Sequence, residues 1–143
     1  MEERNIGFEI KTLSNLMKRK MENEIGYNYE LTGNHSYILG FLYHERNRDI
    51  FQKDIEKEFS IRRSTATGIL NVMEKNELIQ RMACKEDARQ KKIVLTEKGK
   101  RVQKESFERV QEFEKKLSSN LTPNELKEFF TIVDKLKDSI ENK

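Results

Sequence analysis

At 143 residues the chain has the length of one domain, and with one proline and six glycines it needs no long linker. Its hydrophobic content of 35% is low and its charged content of 37% high for a compact monomer, which suits a thin helical body that completes its core by dimerising. The single cysteine excludes an internal disulfide framework, and the net charge of +3 excludes neither an acidic nor a basic partner until its distribution is read.

The first residues, MEERNIGFEIKTL, lack the apolar run of a secretory leader. Nothing later approaches the roughly 18 consecutive apolar residues of a membrane span, so a cytoplasmic protein without membrane contact is expected. Ile6, Ile10, Leu13, Met17 and Met21 recur at spacings of three and four and predict a first helix with one apolar stripe. Gly26 and Tyr27-Asn28-Tyr29 end it. Thr32 can cap a second helix whose inner face is Ile38, Phe41 and Leu42, with Leu39 and Tyr43 beside it. Arg46 to Asp49 is a polar break. A short third helix follows over about 52–58 with Ile55 and Phe59 turned inward. After a tight turn a fourth runs over about 62–75 and buries Ala66, Ile69, Leu70 and Met73.

Two short apolar strands come next, one with Ile79 and Met82 and one with Ile93-Val94-Leu95. Thr96 is placed to cap the helix that follows. Between the strands, Lys85, Arg89, Lys91 and Lys92 sit beside Glu86 and Asp87. Burying such cations unpaired would cost too much for a core element. Near DNA they gain by releasing condensed counterions. Helix, turn, helix and basic hairpin together spell a winged helix, so the expected fold is mainly α with a small β-hairpin wing.

Charge agrees with that placement: residues 46–92 hold 12 basic and 8 acidic side chains, and the remainder 16 and 17. Beyond the wing, Val102, Val110, Phe113 and Leu117 stripe a long fifth helix. Thr122-Pro123-Asn124-Glu125 is a capping box with proline at the first helical position. Leu126, Phe129, Phe130, Val133, Leu136 and Ile140 line the sixth.

The fourth helix is the candidate recognition helix. Arg62, Arg63, Ser64, Thr65 and Thr67 put donors and acceptors at its N-terminal end, where such helices meet base edges. Arginine can bond guanine O6 and N7 in parallel, and threonine can set its methyl against that of thymine. Ala66 and Gly68 would admit close approach to a neighbouring helix or to the groove.

The runs Leu78-Ile79-Gln80-Arg81, Asp87-Ala88-Arg89 and Leu95-Thr96-Glu97-Lys98-Gly99, in this order and spacing, resemble the "GLI-x-R … D-x-R … LTEKG" pattern of MarR-family transcription regulators. The likeness extends over nearly the whole chain, as one unit 1–143. It implies a winged-helix DNA-binding region over 32–96 flanked by dimerisation helices at 1–30 and 97–143. The function it implies is a homodimeric transcription regulator, a repressor, that binds a pseudo-palindromic double-stranded operator. It places Arg89 in the minor groove, where an arginine reads width and negative potential. Asp87 would then accept a hydrogen bond from Arg89 or from backbone amides and fix the tip, with Lys85, Lys91 and Lys92 on phosphates. Glu77 departs from the family, which usually has glycine there. A less strained turn, or Asn76 in the left-handed conformation, is expected to carry the bend.

The resemblance also implies a small aromatic or amphipathic effector between the dimerisation helices and the winged helix. Phe8, Met17, Tyr37, Phe41 and Tyr43 are candidates to line that crevice, with His35, Ser36 or Arg19 as polar contacts. Aromatic residues at helical spacing are more often plain core than ligand lining. The rival function is a winged helix used for protein–protein contact or for sequence-tolerant, architectural DNA binding. Arg62, Arg63 and Arg89 together favour the specific reader.

An enzyme finds little support. There is no Gly-rich phosphate loop, no G-x-S-x-G elbow and no H-E-x-x-H, and the carboxylates are scattered on polar faces. His35 and His44 stand nine residues apart and with Cys84 make a poor zinc set, so neither a metal nor a cofactor is expected. Cys84 beside Lys85 could have a lowered thiol pKa, but an incidental cysteine is the expectation.

Overall fold

The computed structural model describes residues 3–25, 33–87 and 89–141. Its elements are α1 (Ile6–Ile25), α2 (Gly33–His44), α3 (Gln52–Phe59), α4 (Arg63–Lys75), β1 (Ile79–Ala83), β2 (Lys91–Leu95), α5 (Glu97–Ser119) and α6 (Pro123–Glu141). This is the mainly α, winged helix-turn-helix fold that the sequence led us to expect. The helix end expected at Gly26 to Tyr29 and the Thr32 cap lie outside the described residues. No helix among the described residues is long and apolar enough to cross a membrane.

Contacts divide the chain into two compact units, Met1–Val110 and Gln111–Lys143. The core of the first is one cluster. Ile38, Leu39 and Leu42 of α2, Ile55 of α3, Leu70 and Met73 of α4, and Val102 of α5 meet Ile50, Leu78, Ile79, Ile93 and Leu95. Seven of its side chains are large and fully buried, each worth about 1.5–3 kcal/mol in transfer from water. Ile69, expected inside, is half-buried against this cluster.

The apolar stripe expected on the N-terminal helix is covered towards its C-terminal end and exposed before it. Met21 is buried and Met17 half-buried, but Ile6, Ile10 and Leu13 are exposed, as are Phe8 and Leu16. Asn5 caps α1 by accepting a bond from the Phe8 amide at 3.1 Å. Arg4 stands 3.1 Å from Glu9 and holds its carboxyl below the usual range through a hydrogen bond and charge.

In the second unit Phe113 is buried and Leu117 half-buried. The capping box forms as read: the Glu125 amide donates to Thr122 Oγ1 at 3.1 Å, and the Thr122 amide to Glu125 Oε1 at 2.9 Å. Phe129, Phe130, Ile132 and Ile140 of α6 are exposed, and its other apolar positions Leu126, Val133 and Leu136 are half-buried.

Two left-handed residues bracket the recognition helix. Ser60 has φ 51° and Glu77 φ 62°. At the helix-turn-helix bend the Ile61 amide donates to Glu56 O at 3.0 Å and the Ser60 amide to Lys57 O at 3.3 Å. After α4 the pattern repeats, Leu78 to Met73 O and Glu77 to Glu74 O, each at 2.9 Å. Both are Schellman endings, and Leu78 and Met73 supply the apolar contact that usually accompanies one. The expectation for the second bend is therefore corrected. Asn76 is right-handed at φ −81°, and Glu77 itself carries the left-handed turn. The turn cannot relax, because Leu78 must enter the core immediately afterwards.

A side chain held in that region costs about 1–2 kcal/mol. Glu77→Gly should accordingly stabilise the fold by about 1 kcal/mol, discounted from that figure for glycine's greater freedom when unfolded. Thermal melting is the check. A rise of about 3 °C is expected, and a fall would show that the Glu77 side chain contributes more than its backbone costs.

Candidate nucleic-acid interface

The first turn of α3 is held by Asp54, whose carboxylate accepts the Phe51 amide at 2.8 Å. The Ile93 amide donates to Ile50 O at 2.7 Å, so β2 is tied to the residues just before α3. Thr96 secures the base of the hairpin. Its amide donates to Leu78 O at 3.1 Å, its hydroxyl donates to Glu77 O at 2.6 Å, and the hydroxyl oxygen accepts the Gly99 amide at 2.9 Å. The cap predicted at Thr96 is thus also a clasp between the end of α4 and the start of α5.

These ties set the wing beside α3 and α4 around a concavity of about 460 Å³. Its lining takes Gln52, Lys53 and Glu56 from α3, Arg63 and Thr67 from α4, Arg81 from β1, and Arg89, Gln90 and Lys91 from the wing, with Phe51 and Ile93. Five cations face one carboxylate. Such a surface attracts a polyanion and gains affinity by displacing its counterions.

Strand register explains which wing lysine belongs to it. The hairpin is antiparallel with Ile79 opposite Leu95, Arg81 opposite Ile93 and Ala83 opposite Lys91. Side chains alternate between faces along a strand. One face therefore carries Ile79, Ile93 and Leu95, which enter the core, together with Arg81 opposite Ile93 and Lys91 nearer the tip. The other carries Gln80, Met82, Lys92 and Val94, of which Met82 is 47% exposed. Lys92 lies 3.9 Å from Asp49, a long and partly exposed pair.

At the tip, the Asp87 carboxylate accepts the Arg89 backbone amide at 2.9 Å, and the Gln90 amide donates to Asp87 O at 3.1 Å. Asp87 therefore fixes the turn from which Arg89 projects, through the backbone. Cys84 is half-buried, its amide bonded to Gln90 O at 3.1 Å.

Of the residues singled out from sequence, Arg63, Thr67, Arg89 and Lys91 converge on the concavity. Arg62, Ser64, Thr65, Lys85, Asp87 and Lys92 do not line it. Arg62 is the residue before α4 and, like Ser64 and Thr65, is exposed. Gln52, Lys53, Arg81 and Gln90 went unassigned. Arg81 donates to Asn71 Oδ1 at 3.0 Å, joining β1 to α4. The signal for Arg81 was present: it lies two residues from the buried Ile79, hence on the same strand face.

Ala66 is fully buried, whereas a methyl at Gly68 would meet nothing within 4 Å. Of the two close approaches considered for that pair, Ala66 makes one inside the protein and Gly68 makes none there.

The effector candidates are dispersed in burial. Phe8 is 64% exposed, Met17 and Tyr37 are half-buried, and Phe41 packs edge-on against Phe59 at 5.9 Å. Tyr43 lies under the Arg46 guanidinium at 4.2 Å. His35 and Ser36 are buried, and Arg19 is exposed.

Residues 29–90 match the model of the MarR family. The fold is similar to that of Staphylococcus aureus MepR in a complex with DNA, with a TM-score of 0.88 and 25% identity over 97% of this chain and 100% of that one. It is also similar to the transcription regulator MarR of Oenococcus oeni, at 0.79 and 29% identity over 94% and 99%. A probable transcriptional regulator from Pseudomonas aeruginosa shares the fold at 0.81 and 20% identity over 92% and 96%. No curated protein matches the chain.

Proposed function

We propose that the chain is a member of the MarR family, whose model its residues 29–90 match, and that it is a sequence-specific DNA-binding transcription regulator. It acts as a repressor, a homodimer on a pseudo-palindromic operator. The observation that carries the reading is the cation-lined concavity between the start of α4 and the wing. Arg63 and Thr67 read base edges in the major groove. Arg89 enters the adjacent minor groove from a tip that Asp87 orders. Lys53 and Lys91 within the concavity, and Arg62, Ser64, Thr65, Lys85 and Lys92 around it, contact phosphates and flanking edges. The solved complex of MepR with DNA supports this partner.

Dimerisation is supported within each unit separately, by the exposed apolar residues of α1 and those of α6. Release by a small aromatic or amphipathic effector is the remaining part of the proposal. It rests on Phe8, Met17, Tyr37, Phe41 and Tyr43.

Asp87→Ala separates an ordered wing from a merely charged one. Removing an anion should strengthen binding to DNA on charge alone. Because Asp87 holds the Arg89 amide, the variant should instead bind a preferred duplex more weakly, and Asp87→Ala/Arg89→Ala should be little worse than Arg89→Ala. Duplex titrations at one fixed salt concentration give the answer. Tighter binding by Asp87→Ala would remove the orienting role and leave an unspecific basic loop.

A further inference from the structure

A side chain that reads a base is useful only when its backbone is held at the correct angle to the groove. Apolar packing between α3 and α4 allows small rotations. Gln52, the first residue of α3, adds a directional constraint. Its Nε2 donates to Thr67 Oγ1 at 2.9 Å and to Arg63 O at 3.3 Å. A carbonyl oxygen only accepts, so the amide orientation is fixed with the nitrogen toward α4. The two acceptors are four residues apart, one above the other on a single face of α4. They belong to the two residues of α4 that line the concavity. The bond to Thr67 Oγ1 also favours one rotamer, and with it the direction of the methyl, and leaves the hydroxyl proton free to donate elsewhere.

We propose that Gln52 is the positioning residue of the recognition helix: its side-chain amide sets the angle of the Arg63–Thr67 row, and base preference depends on it. The proposal rests on the DNA-binding reading above. Gln52 has no charge, so removing it leaves the attraction of Lys53, Arg63, Arg81, Arg89 and Lys91 for phosphate intact. Its loss should therefore be felt in discrimination and not in general affinity. That separates it from the phosphate-contacting Lys53 and Lys91 beside it, whose removal weakens binding to every sequence.

The probe is the duplex that the wild-type full chain selects from random sequences, with its single-base variants and a scrambled duplex as control. Gln52→Met, close in shape and without the amide, is compared with Gln52→Ala and Thr67→Val at one salt concentration. Both Gln52 variants should bind the selected duplex roughly tenfold more weakly and the scrambled one within about twofold of wild type. They should lose preference at the base positions that Thr67→Val also affects, and Gln52→Met/Thr67→Val should be little worse than either single change.

An unchanged preference profile for Gln52→Met would overturn the proposal. So would equal losses on both duplexes, which would indicate general damage to the fold. Side-chain amide exchange in the DNA-free wild type supplies a test that needs no variant. Protected Gln52 Nε2 hydrogens are expected, and exchange as fast as that of exposed glutamine overturns the positioning role. A wild type that selects no duplex, with the amide protected, would instead overturn the DNA-binding reading, and this inference with it.

Discussion

Gly99→Ala should destabilise the chain by about 3 kcal/mol, the upper end of what overpacking ordinarily costs. A methyl at Gly99 would fall 2.0 Å from Leu78 O, 3.0 Å from Leu78 C and 3.2 Å from Leu95 Cδ2. The obstacle is backbone that cannot move alone. Leu78 O accepts the Thr96 amide, and Leu78 is fully buried between the Glu77 turn and β1. Giving way would open the clasp that seats the wing beside α4. The melting temperature should fall by roughly 10 °C. Gly68→Ala is the matched control: its methyl meets nothing, so in DNA-free protein the better helix former should stabilise by about 1 kcal/mol. If Gly99→Ala melted with the wild type, α5 would not sit against Leu78 as described.

Arg63→Ala should cost about 1–3 kcal/mol on the preferred duplex and relax preference at particular positions, as loss of a bidentate base contact does. Lys91→Ala should behave differently, although Lys91 lines the same concavity. A phosphate contact carries no sequence information, so affinity should fall alike for all duplexes and the salt dependence should flatten by about 0.9 per lost contact. Arg89→Ala should cost more than Lys85→Ala. Both remove one positive charge, but only Arg89 lines the concavity and springs from the turn that Asp87 fixes. Titrations across a salt series distinguish these outcomes. Identical preference profiles for wild type and Arg63→Ala would show that Arg63 does not read bases.

Local chemistry made most of the fold legible. The Thr122 capping box, the Thr96 cap and the helical period of α4 are statements about residues within a few positions of one another, and each holds in the structure. The apolar periods of α1 and α6 did locate those helices. They did not give burial, because periodicity marks a face without saying what covers it. The concavity was legible in part for the same reason. Arg63, Thr67, Arg89 and Lys91 could be named from a helix start and a hairpin tip. Separating Lys91 from Lys92 required the strand register. Arg81 could have been placed from its alternation with Ile79, whereas finding Gln52 required a contact with α4 across 15 positions of sequence. The strained Glu77 was hidden by a sound local preference. Asparagine tolerates the left-handed region better than glutamate, yet Leu78 has to reach the core from the position after Glu77, and that requirement prevails.

Selection from random duplexes by the full chain, read out as bound sequences, tests the central claim most directly. A homodimer whose two recognition helices and wings address successive grooves should enrich one motif with two inverted half-sites about one helical turn apart. Arg63→Ala should blur defined positions in both halves together. Enrichment of no motif, at a salt concentration where the chain still binds DNA, would contradict sequence-specific regulation and leave an architectural binder.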